Sequence, residues 1–163
     1  METALYKYRG PVGDLFCLFE GGVLIDMSMG KDAAAGCKQG AIKVNKNVSP
    51  AARAFFRELD AYFEGTLRKF SREIGFSSGT PFERRIWKVL LGIPYGETRS
   101  YKWVAERAGR PGAARAAGRA IGKNPIPIVV PCHRVIASDG SLGGFSCGVE
   151  IKRWLLEHES ACR

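Results

Sequence analysis

Residues 100–122 of the chain read SYKWVAERAGRPGAARAAGRAIG. Ser100 is a good N-cap for a short helix over Tyr101–Ala108, and Gly109-Arg-Pro111 is typical of a tight turn. The composition after the turn predicts a second helix over Gly112–Gly122. Two short helices joined by a three-residue turn that contains glycine are typical of a helix-turn-helix, although many helical hairpins of this kind bind no nucleic acid.

The second of these helices consists almost wholly of small residues and two arginines. Small side chains allow a helix to approach a neighbouring surface closely, and Arg115 and Arg119, four residues apart, lie on one helix face. One interpretation is a tightly packed internal helix with two solvated arginines. The other is a helix pressed into a DNA groove, with its arginines directed toward phosphates or the base stack.

A thiol and an imidazole stand side by side after this helix. Asn124-Pro-Ile-Pro127 cannot continue the helix, so the chain turns into an apolar segment that ends at Pro131. Cys132 and His133 follow, at a place that we expect to be rigid and largely buried. A buried thiol has a raised pKa and is inert unless a base or a positive charge activates it. His133 is the candidate base, and a packed, hydrogen-bonded imidazole is the alternative.

The last helix is expected over Val149–Glu159. Its apolar periodicity predicts four residues on the inward face: Ile151, Trp154, Leu155 and His158. This pattern makes His158, the other histidine of the chain, a packing residue rather than a catalytic one. Glu159 is a candidate third member of a proton relay if it points inward. The preceding loop, Ser138–Gly148, is rich in glycine and suits either a pocket wall for a planar ligand or an ordinary surface connection.

Composition and charge favour a soluble domain with an anionic partner. Of the 163 residues, 45% are hydrophobic and 25% charged, which is enough to bury a core. Residues 1–79 carry 11 Lys/Arg and 9 Asp/Glu, a net charge of +2, and residues 80–163 carry 14 and 7, a net charge of +7. A basic excess is typical of proteins that bind nucleic acid, although a generically basic surface has the same composition.

Five cysteines bear on compartment and cofactors: Cys17, Cys37, Cys132, Cys147 and Cys162. Their odd number, irregular spacing and lack of a preceding signal-peptide pattern predict reduced thiols in a cytoplasmic protein, or a nuclear one in a eukaryote. No CxxC or other metal-ligand spacing occurs, so we expect no metal and no cofactor. No apolar run is long enough to span a membrane, so we expect no membrane partner.

The N-terminal half predicts a β-meander followed by a helix. Three segments read as strands separated by glycine-containing turns: Ala4–Arg9, Leu15–Phe19 and Val23–Met29. Ser49-Pro50 predicts the start of a helix that runs to Glu64, with Gly65 as its C-cap. No catalytic cluster is visible in this half, and we interpret it as a supporting domain.

A capping-box signature, Thr80-Pro-Phe-Glu83, predicts another helix through about Leu91. The segment before it, residues 71–80, has the composition of a connector. We therefore expect two domains. Residues 1–78 form an α/β supporting domain, and residues 79–163 form a mostly α domain that carries the helix-turn-helix and the reactive thiol.

Several stretches of the second domain together match one known pattern: Gly79-Thr-Pro-Phe82, Ile93-Pro-Tyr-Gly96 with Ser100-Tyr101, Ala114-Arg-Ala-Ala-Gly118, Asn124-Pro125, Pro131-Cys-His-Arg-Val135, and Trp154-Leu-Leu156 through Glu159. In order and spacing they resemble the O6-alkylguanine-DNA alkyltransferases, also called methylated-DNA–protein-cysteine methyltransferases. The resemblance covers essentially all of residues 79–159. The N-terminal half matches weakly and is compatible with the family's variable α/β domain, which is ribonuclease-H-like.

The resemblance implies direct reversal of DNA alkylation damage. The protein would bind double-stranded DNA containing alkylated bases through the minor groove and rotate the damaged guanine into a pocket. Cys132 would attack the O6-alkyl carbon in a single displacement, which restores guanine and leaves an S-alkyl thioether. Each molecule would therefore act once. O4-alkylthymine is left open as a second substrate, and a monomer is expected in solution.

The resemblance also implies roles for the reactive residues. Cys132 matches the alkyl acceptor, and His133 matches the residue that deprotonates it through a bound water. Glu159 matches the carboxylate that orients the imidazole. Tyr101 matches the residue that helps rotate the nucleotide and supplies a proton to the departing base.

Further residues match the DNA-binding surface. Arg115 matches the arginine that fills the vacated position in the base stack, and Asn124 matches the hinge between recognition helix and reactive segment. Ala114 and Arg119 belong to the same DNA-binding helix.

The substrate pocket is expected to include Val135, Phe145, Ser146 and Cys147. Val135 and Ser146 match residues whose backbone or side chain contacts the flipped base. Phe145 stands where many members have tyrosine, which removes a hydroxyl contact but preserves stacking. Cys147 stands where a small glycine is common, so it narrows the pocket against bulky substituents and brings in a second thiol. The cysteines and histidine that bind zinc in some members are absent, which agrees with the expectation of no metal.

Three other functions fit parts of the sequence. A binding-only relative would keep the DNA-binding fold without transfer, but Cys132 argues against it. A Cys-His hydrolase or thiol transferase acting on small molecules would turn over many times and ignore DNA. A transcription factor with an incidental thiol would bind one DNA sequence specifically.

Overall fold

The computed structural model describes residues 1–30, 33 and 43–163 of the chain. They divide into two compact units, Met1–Ser77 and Ser78–Arg163. Strands and helices both contribute, which confirms the predicted α/β class at that level.

The first unit contains an antiparallel three-stranded sheet in the order β1-β2-β3. The strands are β1 (Thr3–Gly10), β2 (Gly13–Glu20) and β3 (Val23–Ser28), so the predicted meander is confirmed. The β2–β3 connection passes through Gly21 and Gly22, both with positive φ. Two-residue hairpin loops with this backbone favour glycine because it has no Cβ to clash.

Helix α1 (Pro50–Phe63) packs against β1. Ser49 caps it by accepting a hydrogen bond from the Ala52 amide at 3.2 Å, as the Ser-Pro pair predicts. The phenol of Tyr8 on β1 donates to Asp60 Oδ1 on α1 at 2.7 Å. Aromatic rings at this junction and buried aliphatic side chains form an apolar core for the unit.

The second unit begins with α2 (Pro81–Leu91), whose N-terminus is capped by the predicted capping box between Thr80 and Glu83. Two short helices follow, α3 (Tyr101–Arg107) and α4 (Ala114–Gly122). The buried indole of Trp87 on α2 donates to the carbonyl of Ala120 on α4 at 2.8 Å, which fixes the two helices together.

The remaining elements of this unit lie around the predicted reactive segment. A short 3₁₀ helix, Cys132–Arg134, is followed by β5 (Val135–Ile136), which pairs in parallel with β4 (Arg99–Ser100). Helix α5 (Val149–Ala161) ends the fold and contacts the 3₁₀ helix.

Two sequence-based expectations for this unit are wrong in detail. Helix α4 begins at Ala114 rather than Gly112, because Gly112 has a φ of 83° and is not helical. The connection from α3 to α4 is therefore residues 108–113 rather than three residues. Among the helices that the structure describes, none is long and apolar enough to cross a membrane.

The inward face of α5 also differs from the prediction. Its buried residues are Lys152, Leu155 and Glu159, while Trp154 and His158 are half-buried and stack on each other at 4.9 Å. Apolar periodicity failed here because two charged side chains occupy the buried face. Their burial points to a polar site inside this unit.

Candidate active site

The segment that leads into the 3₁₀ helix is held by the side chain of Asn124. Its amide donates to the Val130 carbonyl at 2.8 Å, and its Oδ1 accepts from the Ile126 amide at 3.0 Å. Ile128, between these partners, is buried with a φ of 73°. A β-branched residue rarely adopts this conformation, and such strain persists only where the surroundings fix it. Two hydrogen bonds of Asn124 and the constrained backbone of Ile128 thus fix the path of the chain immediately before Cys132.

Cys132 is the first residue of the 3₁₀ helix, and only 4% of it is exposed. Burial raises the pKa of its thiol to about 12. A hydrogen bond with Asn124 and the positive charge of Lys152 act in the opposite direction, whereas Cys147 adds to the rise. The resting group is therefore a thiol, and it requires a base before it can act as a nucleophile.

The imidazole of His133 is fully buried and bonded to Glu159. His133 Nε2 lies 2.7 Å from Glu159 Oε1, while its Nδ1 makes no hydrogen bond with any described residue. Burial lowers the pKa of His133 despite the opposing effect of Glu159, so the ring is neutral near pH 7. With Glu159 ionised, the proton of the neutral ring is assigned to Nε2, which leaves the Nδ1 lone pair free to accept a proton.

Glu159 is 1% exposed and accepts hydrogen bonds from three different groups. Besides His133, the Arg134 guanidinium donates to both carboxylate oxygens at 2.8 and 2.9 Å, and the Gly96 amide donates at 3.2 Å. Burial alone would raise the pKa of this carboxyl, but the bonds and charges of His133 and Arg134 hold it well below its usual range. Glu159 is thus a buried carboxylate, placed inward as a relay requires.

Arg134 extends this network into the body of the unit. Its Nη1 donates to the Ile93 carbonyl at 2.8 Å, and its guanidinium lies 5.6 Å from the centre of the Tyr95 ring. Only 7% of the residue is exposed. His133, Arg134 and Glu159 therefore form a buried network. In it the Arg134 guanidinium balances the negative charge of the Glu159 carboxylate.

Tyr101 is the first residue of α3, and its side chain lies between Gly118 and Gly143 in space. Its ring is 3.6 Å from the position of a Cβ on Gly118 of α4, and its hydroxyl is 2.6 Å from that position on Gly143, which has a φ of 69°. Burial raises the pKa of the phenol, and the charge of Cys132 adds to this effect. Tyr101 thus remains protonated near neutral pH, and side chains larger than hydrogen at residue 143 would displace it.

Lys152 of α5 joins the reactive segment to the glycine-rich loop. Its ammonium donates to the Val135 carbonyl at 2.6 Å and to the Gly144 carbonyl at 3.2 Å, and it lies 5.8 Å from the centre of the Tyr101 ring. Burial lowers the pKa of Lys152 to about 8, although the charge of Cys132 opposes this shift. The site therefore contains a buried cation in addition to Arg134.

The other predicted pocket residues occupy the loop that Gly144 belongs to. Phe145 and Cys147 are half-buried and Ser146 is exposed, and the Gly148 amide donates to the Phe145 carbonyl at 3.0 Å in a tight turn. Val135 is buried and starts β5.

The predicted DNA-contacting residues of α4 lie apart from the buried network. Arg115 and Arg119 are exposed, Ala114 is half-buried at the first helical position, and Ala117 and Ala120 form the buried face. The arginines therefore face solvent, which agrees with both interpretations of this helix.

The thiols give no sign of a metal site in the part of the chain that the structure describes. Cys17, Cys132, Cys147 and Cys162 form no disulfide with one another. No group of three or more His, Cys, Asp or Glu side chains in the described ranges is arranged to hold a metal ion. Cys37 lies outside the described residues.

Two residues of the site were missed by our residue-based reasoning, Arg134 and Lys152. Arg134 stood inside the matched Pro131–Val135 stretch without a role, and Lys152 was given no role among the residues of the last helix. A signal was available only for Arg134, which follows an apolar segment that predicts burial, whereas the periodicity of α5 gives no such signal for Lys152. The network thus brings together Cys132, His133, Glu159, Tyr101, Val135 and Asn124, as well as these two.

Comparison with known families and proteins gives a consistent assignment. Residues 81–161 match the family described as 6-O-methylguanine DNA methyltransferase, DNA binding domain. The methylated-DNA–protein-cysteine methyltransferase of Mycobacterium leprae is 44% identical over 149 residues, which cover 91% of this chain and 87% of that protein. The enzyme of the same name from Methanosarcina barkeri is 50% identical over 66% of this chain and 70% of its own length.

Solved structures extend the similarity to the whole fold. The Mycobacterium tuberculosis protein OGT in complex with DNA superposes with a TM-score of 0.88 at 41% identity, covering 98% of this chain and 94% of that one. The O6-methylguanine-DNA methyltransferase of Pyrococcus kodakaraensis gives a TM-score of 0.70 at 26% identity, covering 97% and 99%. The chain therefore belongs to the methylated-DNA–protein-cysteine methyltransferase family.

Proposed function

We propose that this protein repairs O6-alkylguanine in double-stranded DNA by transferring the alkyl group to Cys132, once per molecule. Family membership supports the reaction class, and a relative with the same fold has been solved bound to DNA. One arrangement carries the assignment to Cys132. Its buried thiol is next in sequence to the imidazole of His133, and Nε2 of that ring is bonded to the buried carboxylate of Glu159.

The displacement requires no cofactor. His133 Nδ1 receives the thiol proton of Cys132 through a bridging water, and the thiolate attacks the alkyl carbon. An S–C bond forms as the C–O6 bond breaks, and the electron pair leaves with the base. A proton supplied through Tyr101 neutralises the departing guanine, and the product is a thioether at Cys132. Because no step restores the thiol, the protein is consumed.

Glu159 stabilises the imidazolium that forms during proton transfer. It holds Nε2 protonated, which leaves Nδ1 as the nitrogen that can accept the proton of Cys132. Arg134 and the Gly96 amide keep the carboxylate ionised and fixed in orientation. Ionisation of Glu159 in a buried site is favourable only because these donors surround it.

Helices α3 and α4 form a helix-turn-helix in our proposal, with α4 entering the minor groove. Small residues along α4 permit a close approach, and the exposed Arg115 would fill the space left by the flipped base while Arg119 meets a phosphate. Extruding a base costs a few kcal/mol, which the inserted arginine offsets in part. The rigid Asn124 turn then joins α4 to the acceptor.

The flipped base would lie between Tyr101 and the loop that carries Phe145, Ser146 and Cys147. Exposed or half-buried side chains on that loop are available for stacking and hydrogen bonding. Residues 1–78 would serve as a ribonuclease-H-like supporting domain, and residues 79–163 as the DNA-binding and acceptor domain.

The test is mass spectrometry of the protein after reaction in excess with a duplex that contains one O6-methylguanine. We expect one added methyl group per lesion, located on the peptide that contains Cys132, and no further reaction. Cys132→Ala should still bind the duplex and gain no mass, while Cys147→Ala should still be methylated. Lesion-dependent binding without any mass change would indicate a binding-only protein, and multiple turnovers on small molecules would indicate a hydrolase or thiol transferase.

A further inference from the structure

We propose that Lys152 is a positioning residue for alkyl transfer, which fastens the glycine-rich loop to the acceptor segment and supplies the positive charge that stabilises the Cys132 thiolate. This inference rests on the proposed function. It concerns a residue to which neither the sequence motifs nor the proton relay of His133 and Glu159 assigns a role.

The Lys152 ammonium bridges two segments of the site. Lys152 is 1% exposed, and its two hydrogen bonds go to carbonyls of different segments, Val135 and Gly144. Val135 follows the 3₁₀ helix directly, and its amide donates to the Cys132 carbonyl. Gly144 precedes Phe145 in the glycine-rich loop Ser138–Gly148, the pocket loop. One side chain thus holds the acceptor segment and the pocket loop in a fixed relation.

Burial of the Lys152 charge is energetically costly. An isolated buried ammonium is strongly unfavourable, and lysine is rarely fully buried without a partner. Both hydrogen-bond acceptors of Lys152 are neutral carbonyls, and the carboxylate in this network, Glu159, is already bonded to Arg134 and His133. A buried cation whose hydrogen-bond acceptors are neutral, within electrostatic range of a thiol, is suited to a state in which the thiol is negative.

Several titratable groups surround the Lys152 ammonium. Cys132 and His133 of the 3₁₀ helix interact with it electrostatically, the ring of Tyr101 of α3 lies 5.8 Å from it, and Cys147 in the pocket loop interacts with Cys132. The charges of Lys152 and the Cys132 thiolate stabilise each other, since each shifts the other's pKa toward the ion pair. An ammonium also has three protons, and the two carbonyls account for two of them.

The consequence is a dependence on pH that a thiol nucleophile alone would not show. Thiolate reactivity normally rises with pH and then levels off. Here the pKa of Lys152 is about 8, so the stabilising charge is lost as pH rises through that value. We therefore expect the single-turnover rate of the wild-type protein to fall on the alkaline side.

The experiment compares three variants with the wild type: Lys152→Met, Lys152→Arg and Arg153→Met. Methionine has similar length without charge, arginine keeps a charge that does not titrate in this range, and Arg153 is an exposed cation on the same helix. Two rates are measured across pH, methyl transfer from an O6-methylguanine duplex and alkylation of Cys132 by iodoacetamide, both located by peptide mass spectrometry.

We expect Lys152→Met to slow both reactions at pH 7 by about tenfold or more, since each unit of rise in thiol pKa reduces the thiolate fraction about tenfold. The pH at which alkylation of Cys132 by iodoacetamide reaches half of its maximal rate should rise. Lys152→Arg should retain part of the rate and lose the alkaline fall, while Arg153→Met should match the wild type.

Unchanged pH midpoint and transfer rate in Lys152→Met would overturn the proposal. If that variant does not fold, absence of an alkaline fall in the wild type, or its persistence in Lys152→Arg, would overturn it equally. Failure of the proposed function is distinguishable, because the wild type would then gain no methyl group from DNA while the iodoacetamide profile would still report the Lys152–Cys132 interaction.

Discussion

The two units of this molecule bury different kinds of side chain. The core of Met1–Ser77 consists of aliphatic and aromatic groups such as Leu15, Phe55 and Leu59. Within the described residues, all the buried charged or polar side chains, His133, Arg134, Lys152 and Glu159, lie in Ser78–Arg163. Burying apolar groups is favourable in itself, whereas burying charges is costly unless they are paired. The second unit therefore contains buried charges that are favourable only because they are paired or hydrogen-bonded, and under the proposed function these charges serve the reaction.

The largest effect is expected from breaking the buried charge network. Glu159→Gln leaves the Arg134 guanidinium without its counter-charge in a buried site, and it removes the anion that fixes the His133 tautomer. We expect the free energy of unfolding to fall by about 3–5 kcal/mol. Denaturant titration followed by circular dichroism measures this. Glu157→Gln, an exposed carboxylate on the same helix, is the matched control and should leave stability unchanged.

A comparable loss of stability is expected from the first unit through a different mechanism. Leu59 is fully buried on α1, so Leu59→Ala leaves a cavity in the apolar core. The expected cost is about 2–5 kcal/mol. The same denaturant titration measures it. A cost near zero would show that the core of this unit collapses around the deletion and would weaken the comparison.

A smaller effect is expected in the pocket loop, where two glycines allow a matched test. Gly140 and Gly143 both have positive φ, so alanine at either position costs about 1–2 kcal/mol. No atom of the described ranges lies within 4 Å of a Cβ at Gly140, whereas the Tyr101 hydroxyl lies 2.6 Å from one at Gly143. Gly143→Ala should therefore slow methyl transfer and Gly140→Ala should not. Equal transfer rates in single-turnover assays would contradict the assigned position of Tyr101.

The smallest effect is a pH dependence of stability from His133. Burial lowers the pKa of His133 in the folded state below its ordinary value near 6.5. At a pH between these two pKa values the imidazole is protonated in the unfolded protein and neutral in the folded one, so protonation favours unfolding. Stability should thus fall as pH decreases below about 6.5, by no more than about 1.4 kcal/mol per pH unit. The pKa of Glu159 lies below the usual carboxyl range, so its contribution is lost only at more acidic pH. Denaturation at several pH values should show the slope in wild type and Leu59→Ala, and not in His133→Gln.

Local sequence signals predicted most of the elements. Caps at Ser49, Thr80 and Ser100 were identified correctly because a capping side chain bonds to amides two or three residues away. The β-meander was predicted because alternating burial and glycine turns are also local. Gly112 was misplaced inside α4, since its φ depends on how the turn before the helix closes.

The site itself was only partly predictable from the residues. The burial of Cys132 followed from the apolar segment before it, but the inward position of Glu159 rested on family resemblance. The bond between Arg134 and Glu159 joins residues 25 apart in sequence, and no periodicity reports it. Lys152 was missed for the same reason, because periodicity assigns charged residues to the solvent face of α5.

The most direct test of the account is the single-turnover rate of methyl transfer in Leu59→Ala and Glu159→Gln, measured side by side where circular dichroism shows that both are folded. Both variants are expected to lose stability, but only Glu159 belongs to the proton relay. The account predicts a rate close to wild type for Leu59→Ala and a strongly reduced rate for Glu159→Gln, with Cys132 the methylated residue in both. Equal rates in the two variants would show that the buried charge network stabilises the fold without contributing to the chemistry.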